Sequence, residues 1–390
     1  MSRVVLAYSG GLDTSVCVKW LTQRGHDVIA FMADVGQGGD FAKLSRRARG
    51  AGASRVVVHD LTVEFARDFV MPALQANAVY EGKYLLATAL SRPLIAKHLV
   101  DVAHQFNAQA IAHGCTGKGN DQVRFETTVM ALDGRLQIIA PVREWELTTR
   151  ESEIAYAKTH RIPVDVTKKS PYSLDENLWG TSIECGVLEN PWREPPLDTH
   201  RSVRPIAKTP AVPAFIEIGF QRGVPVQLNG KQLALVSLIR RLNELAGTHS
   251  VGRSDLVENR LVGIKSREVY EAPGARVLLE AHEELERLVL DRELYHFKQA
   301  LSVKYAEMVY YGLWFTPLKE ALDAFVHQTQ RRVTGTVRVK LHRGTCVAVG
   351  RRSPHSRYRR HLATYGKGDQ FNQRLAEGFI KLWALPYLDQ

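Results

Sequence analysis

Residues 4–8 form a short apolar run that passes directly into Ser9-Gly10-Gly11 and then into a helical pattern starting at Asp13. A strand, a two-glycine turn and a helix in that order is a demanding arrangement. The first N–H groups of the helix have no intrahelical partners and face whatever occupies the turn, with the positive end of the helix dipole behind them. Gly10 and Gly11 let the main chain approach a ligand closely. Ser9, Thr14 and Ser15 add hydroxyls. The result is an anion cradle suited to phosphate. It is neither a G-x-x-x-x-G-K-[ST] loop nor a G-x-G-x-x-G fingerprint, because those spacings are missing here. The plainer alternative is a turn whose Ser and Asp only cap the helix.

The pattern around the cradle predicts alternating strands and helices over the first 160 residues. Strands are expected at 4–8, 28–32, 56–59, 109–113 and 136–140. Helices are expected at 13–24, 62–75, 88–105, 120–132 and 149–160, the last opened by a capping box from Thr148 to Glu151 and closed before Pro163. This alternation predicts an α/β fold with a parallel sheet covered on both faces.

The pattern changes beyond Pro163. Residues 168–196 read as a polar loop, with Trp179 and Trp192 as core residues. Strands are expected over 205–220 and 224–228, helices over 231–246 and 275–312, and hairpins over 332–350. Residues 369–385 carry an amphipathic pattern at Phe371, Leu375, Phe379, Ile380 and Leu382. The expected organisation is a Rossmann-like α/β domain over 1–165, an α+β domain over 166–361 and a terminal amphipathic helix within 362–390, with the main boundary near 163–170.

The four cysteines form no C-x-x-C pair and no zinc spacing, which points to a reducing compartment. No signal peptide or membrane span is read, so a cytoplasmic protein is expected. The net charge of +11 is concentrated: residues 331–361 hold ten Lys or Arg and no Asp or Glu. A basic stripe can mark a nucleic-acid surface. The alternation of Val333, Val337, Val339 and Leu341 with polar residues favours a two-sided strand instead.

A second glycine-rich turn, His113 to Glu126, follows the strand expected at 109–113. Gly114, Gly117 and Gly119 free the backbone to fold round a small anion. Asn120 and Arg124 share a helical face, and the Arg fork can grip a carboxylate with two bonds. Asp121, about 100° round the helix, could hold an ammonium. The set suits a small zwitterion, although a capped helix with a surface ion pair has the same composition.

The string S-G-G-L-D-T-S resembles the pyrophosphate loop of the N-type ATP pyrophosphatases. The string at 113–126 is similar to that of the argininosuccinate synthase family. So are the segments from Tyr84 to Pro93, Ser170 to Gly180 with Ser182-x-Glu184, Gly252 to Gly274, and Gly350 to Tyr365. The resemblance runs from about residue 3 to the last helix. Ala89 departs from it, standing where the family often has Ser, with Thr88 or Ser91 as possible substitutes. Gly39 and Glu268 are further departures.

The resemblance implies a ligase that condenses citrulline with aspartate and splits ATP to AMP and pyrophosphate. It implies that Ala7, Tyr8, Ser9, Gly10, Gly11, Leu12, Asp13, Thr14, Ser15, Ala33 and Gly114 bind ATP. Aspartate would be held by Thr116, Asn120 and Asp121. Citrulline would be held by Tyr84, Asn120, Arg124, Ser173, Ser182, Glu258 and Tyr270. Asp13, Asp121 and Arg124 would be the catalytic set. Mg²⁺ would be bound through phosphates, with no protein ligand named, and the assembly would be a homotetramer. On spacing alone, Tyr84 and Tyr270 equally suit half-buried packing, Ser173 and Ser182 turns, and Glu258 a helix surface.

A thiolating, tRNA-modifying ATP pyrophosphatase is the alternative from the shared first loop. It relies on paired reactive cysteines, and no convincing pair is present. A glutamine-dependent amidotransferase would carry Cys after Met1, where Ser2 stands.

Overall fold

Val4 and Leu6 pack into one apolar cluster with Val28, Ala30 and Met32, whereas Val5 joins Ile29 and Phe31 in another. Neighbouring side chains on a strand point to opposite faces, so this sheet is covered on both sides. In the computed structural model, which describes residues 2–163 and 172–388, five parallel strands make up this sheet. They are β1 (Arg3–Ala7), β2 (Asp27–Asp34), β3 (Arg55–Asp60), β4 (Ala110–Ala112) and β5 (Gln137–Ile139), in the order β3-β2-β1-β4-β5. Helices Leu12–Gln23, Ala87–Gln105 and Asp121–Leu132 fall where expected, within a residue at each end.

Two local expectations are corrected here, and one helix is added. The stretch 62–75 is not one α-helix: a turn at Thr62–Glu64 leads into a π-helix at Phe65–Val70 and an α-helix at Met71–Gln75. The widened turn ends against Pro72, which has no N–H to give the carbonyl of Asp68. The capping box lies one residue later than expected. Thr149 and Ser152 exchange bonds of 3.1 Å in each direction, opening helix Arg150–Thr159. A further helix, Phe41–Ala51, follows β2. Its residues are mostly basic and small, so periodicity hides it. Its true signals are the cap of Asp40 on the Lys43 N–H and the left-handed Gly52.

Among the described residues, the second half holds nine strands: β6 (Ser173–Asn177), β7 (Gly180–Glu184), β8 (Ala214–Gln221), β9 (Val224–Leu228), β10 (Lys231–Gln232), β11 (Arg253–Asn259), β12 (Lys265–Glu271), β13 (Gly335–His342) and β14 (Thr345–Arg352). They form two antiparallel sheets, β11-β12-β7-β6 and β10-β9-β8-β13-β14. The expected loop at 168–196 thus contains the β6–β7 hairpin, whose polar strand residues disguised it. Trp179 is buried at its turn, but Trp192 is 94% exposed and is no core residue. The strand expected from 205 starts only at Ala214. The long helical stretch 275–312 is two helices, Pro273–Val289 and Arg292–Tyr310, the second capped by Asp291 on the Leu294 N–H. Helices Leu235–Thr248 and Pro317–Thr329 complete the packing. The boundary expected near 163–170 lies almost wholly outside the described residues.

The first domain's core continues into the second half. Phe31, Tyr84, Trp179, Tyr270 and Tyr310 belong to one buried cluster. The basic stretch carries β13 and β14, with Val333, Val337, Val339 and Leu341 fully buried. Its charges meet acids from neighbouring elements: Arg338 and Arg352 at Glu217, Arg351 at Glu284, Arg357 at Asp291. That pairing is what a solvated two-sided strand needs. Helix Leu375–Ala384 is amphipathic as expected, with Leu375, Phe379, Ile380 and Trp383 all exposed.

Candidate active site

β1 lies between β2 and β4, and the helices that follow β1 and β4 pack into the clusters on opposite faces of the sheet. Such a switch in strand order opens a crevice at the carboxyl ends of the strands. Both glycine-rich turns lie there. They touch: a β-carbon on Gly114 would stand 3.1 Å from Thr14 Cγ2 and 3.6 Å from Cys17 Sγ.

The first turn is open to a ligand. Gly11 is the N-cap of helix Leu12–Gln23 and has no side chain to cap it. Ser9 and Gly11 are exposed. Gly10 adopts φ +82°, a backbone conformation that favours glycine, and a β-carbon there would run into the Leu44 side chain. The hydroxyls of Ser9 and Thr14 lie 3.2 Å apart at the mouth. Arg47 donates to the Gly10 carbonyl at 2.6 Å, bringing a guanidinium to the turn. Nothing in the sequence periodicity marked Arg47.

Not every residue of the turn faces outwards. Ser15 is fully buried; it donates to the Gly11 carbonyl at 2.7 Å and accepts from Tyr8 at 3.0 Å. Ser15 and Tyr8 therefore brace the turn from below. Ala7 and Leu12 are partly buried beside it. Ala33, at the end of β2, already gives its carbonyl to Gln37 Nε2 at 2.7 Å. Asp13 faces Glu153 across the crevice wall. Burial, then the Asp13 charge and hydrogen bond, push the Glu153 carboxyl up to about 8. Glu153 Oε2 is buried without a hydrogen-bond partner, an environment that favours the protonated carboxyl.

The second turn leads into a partly buried charge cluster. Asp121 accepts from Arg124 at 2.8 Å and from Arg92 Nε at 2.9 Å. Arg92 also bonds Asp175 of β6. Burial pushes the Asp121 carboxyl up, but the two guanidiniums outweigh it and hold it below the usual range. Asp175 is raised, by burial first. Two guanidiniums thus balance two carboxylates. Arg124 is 4% exposed, and its Nε is committed to the Tyr310 carbonyl at 2.9 Å. Thr116 is exposed on the turn itself.

β11 and β12 bring the next group. Glu258 is 1% exposed, on a strand rather than a helix surface. Its carboxylate accepts from Tyr270 and Tyr310, each at 2.5 Å. Burial, with the charge of Glu268 added, pushes Glu258 up to about 7. Tyr270 stacks on Tyr84 with centroids 4.0 Å apart; both are buried. The Tyr84 hydroxyl accepts from the N–H groups of Thr88 and Ala89 at 3.0 and 3.2 Å. Ser182 meets the Thr88 hydroxyl at 2.9 Å, so Thr88, beside Ala89, carries the hydroxyl at this point. Ser173 is exposed at the head of β6, on the same face as Asp175 but two residues further out. Arg260, bonded to Glu184 at 2.6 Å and Glu268 at 2.9 Å, closes the cluster. Glu268, 3.0 Å from the Tyr270 hydroxyl, adds a carboxylate to this wall.

The structure therefore joins Tyr84, Asn120, Asp121, Arg124, Ser182, Glu258 and Tyr270 into one contiguous wall. Arg92, Asp175, Arg260 and Tyr310 belong to it as well, and the sequence reading missed their part in it. A cleft of about 230 Å³ opens on Tyr84, Thr181 and Tyr270. A larger cavity of about 550 Å³, lined by Arg222, Arg331, Arg332 and Arg357, touches none of these residues.

A glycine turn open at the switch point, joined to a wall of charged and aromatic side chains drawn from both halves of the chain, fits an ATP-using synthetase of the α/β class. Comparison with known proteins narrows the class. The family described as Arginosuccinate synthase N-terminal HUP domain matches residues 3–163, and that described as Arginosuccinate synthase C-terminal domain matches 172–388. The chain is 57% identical over 384 residues to the argininosuccinate synthase of Bacillus licheniformis, covering 98% of this chain and 95% of that one. It is 57% identical to that of Geobacillus kaustophilus, covering 98% and 94%, and 54% identical over 386 residues to that of Aquifex aeolicus, covering 98% and 96%. The chain belongs to the argininosuccinate synthase family. A likeness to a subunit described as of a tRNA methyltransferase from Methanocaldococcus jannaschii, at TM-score 0.29 and 13% identity over 40% of this chain and 75% of that one, is too slight to bear on function.

Proposed function

We propose that this chain condenses citrulline with aspartate at the expense of ATP, giving argininosuccinate, AMP and pyrophosphate. The observation that carries this reading is the junction of the two turns, which sets a phosphate cradle against a wall of half-buried Asp121 and buried Arg124 and Glu258. Citrulline's ureido carbon is a poor electrophile, and its oxygen a poor leaving group. The cradle holds the triphosphate by main-chain N–H groups and by Ser9 and Thr14, leaving the α-phosphorus open. The ureido oxygen attacks that phosphorus and pyrophosphate departs. The aspartate amine then attacks the activated carbon and AMP leaves.

The protein's contribution is placement and charge complementarity rather than a nucleophile. Arg124 suits citrulline's carboxylate and Glu258 its ammonium, while Tyr84, Ser182, Tyr270 and Ser173 bound its length. Asn120, Asp121 and Thr116 receive aspartate, with Asp121 facing its amine and Asn120 also reaching citrulline. Ala33 and Gly114 flank the nucleotide. Mg²⁺ arrives on phosphate oxygens and keeps waters; among the described residues, no group of three His, Cys, Asp or Glu is arranged to hold a metal. The exposed apolar face of helix Leu375–Ala384 suits a neighbouring copy, in keeping with a tetramer. No helix among the described residues is long and apolar enough to cross a membrane, and we infer a cytoplasmic setting from the free thiols.

The thiolating alternative needs an activated thiol. Burial pushes all four cysteines, Cys17, Cys115, Cys185 and Cys346, above the ordinary thiol range, the opposite of a reactive thiolate. Product analysis with each substrate omitted in turn tests the reading. AMP and pyrophosphate should form only with citrulline present. Release of ADP, or a requirement for glutamine or tRNA, would defeat it.

A further inference from the structure

Tyr310 ends helix Arg292–Tyr310 in the second half of the chain, yet it meets four of the side chains assigned above to citrulline. Its hydroxyl lies 2.8 Å from Asn120 Nδ2 and 2.5 Å from Glu258 Oε1. Its carbonyl accepts from Arg124 Nε, and the Arg124 guanidinium lies 4.8 Å from its ring centroid. Tyr84 meets the ring edge-on at 6.2 Å. Tyr80 holds the other face, stacked at 3.6 Å and 8°. Two residues on, Gly312 at φ +75° brings the backbone so close that a β-carbon would stand 2.7 Å from Arg124 Cα.

The directions of these bonds are fixed by donor inventory. Asn120 Oδ1 accepts the Leu261 N–H at 2.9 Å, so the amide's other end, Nδ2, donates to the Tyr310 oxygen. The single Tyr310 proton is then given to Glu258. The other donor on Glu258 is contested: Tyr270 Oη is also 3.0 Å from Glu268 Oε2, and one proton cannot serve both carboxylates.

We propose that Tyr310 is a positioning residue of the citrulline subsite, holding Glu258 as an ionised carboxylate and Asn120 in register with it. This rests on the reading of the wall as that subsite. The groups facing Glu258 are Glu268 and Tyr270 on β12, Arg124 on helix Asp121–Leu132, Tyr80, Tyr84 and Tyr310, while Arg260, just beyond β11, is held by Glu184 and Glu268. Burial and Glu268 raise the carboxyl; Tyr270, Tyr310 and Arg124 lower it. Removing the Tyr310 hydroxyl therefore moves Glu258 further up.

The test is the pH profile of kcat/KM for citrulline, measured beside that for ATP, in the wild type and Tyr310→Phe. The variant keeps the ring and its stacking. KM for citrulline should rise about tenfold near pH 7, as loss of a bond to a charged group implies. The defect should shrink towards pH 9, with KM for ATP unchanged. Substituting 3-fluorotyrosine at position 310, a stronger donor, should move the limb the other way. A loss equal at every pH, an equal loss for ATP, or no change in either variant would overturn the proposal. If the wild type forms no AMP in response to citrulline, the reading of the site itself falls, and the proposal with it.

Discussion

Arg92 grips Asp121 from the neighbouring helix, with its Nε at 2.9 Å and its Nη2 at 2.8 Å from Oδ2, while the same fork reaches Asp175 in the second domain. One guanidinium thus ties the carboxylate proposed for aspartate's amine to the strand β6. Only a planar fork serves two carboxylates in this way. Arg92→Ala leaves Asp121 and Asp175 facing each other with one cation fewer. The pairs are half-buried, so the expected cost is about 2 kcal/mol of stability, between that of an exposed pair and that of a buried one, and it should lower the melting temperature. Arg92→Lys keeps the charge and should fold, but with KM for aspartate raised more than KM for ATP.

The two glycines of the first turn should respond differently. Gly10→Ala forces a residue at φ +82° into Leu44, whereas Gly11 has φ −71° and a β-carbon only 3.4 Å from Ser9 Oγ. Gly10→Ala should both destabilise the fold and weaken ATP binding by calorimetry. Gly11→Ala should leave the melting temperature nearly unchanged.

Glu153 makes stability depend on pH. Its carboxyl titrates near 8 in the folded chain and near 4.5 when unfolded. Between those values the folded state holds the extra proton, so stability falls as pH rises. The contribution is complete below about 4.5 and is progressively lost through about 8. Glu153→Gln, which cannot ionise, should melt with a flatter pH dependence, and its advantage over the wild type should grow from pH 6 to pH 9.

The exposed stripe of helix Leu375–Ala384 is expected to be covered by neighbouring copies. The full chain should sediment as a multimer at micromolar concentration, and a chain ending at residue 368 as a smaller species. Identical sedimentation of the two would remove the helix from the interface.

The parts of this structure that were legible in the sequence are those written in backbone terms. The glycine turn after β1, the alternation of the first sheet and the amphipathic last helix follow from local residue types. The wall was legible only by resemblance. Glu258 looks like a surface charge until β12 folds over it, and the polar strand β6 looks like a loop. Tyr310 and Asn120 are 190 residues apart, and no local pattern joins them. Helix Phe41–Ala51 stayed hidden because only Ala48 and Ala51 of its residues are buried. Trp192 was misread because size alone suggested burial, whereas its neighbours are Asn190, Pro191 and Arg193 in an exposed turn.

The most direct test of the central claim follows one oxygen atom. If the cradle presents the α-phosphorus to citrulline's ureido oxygen, citrulline labelled there with ¹⁸O should deliver the label to the phosphate of AMP, with none in pyrophosphate. Label released to water, or AMP without label, would contradict the account.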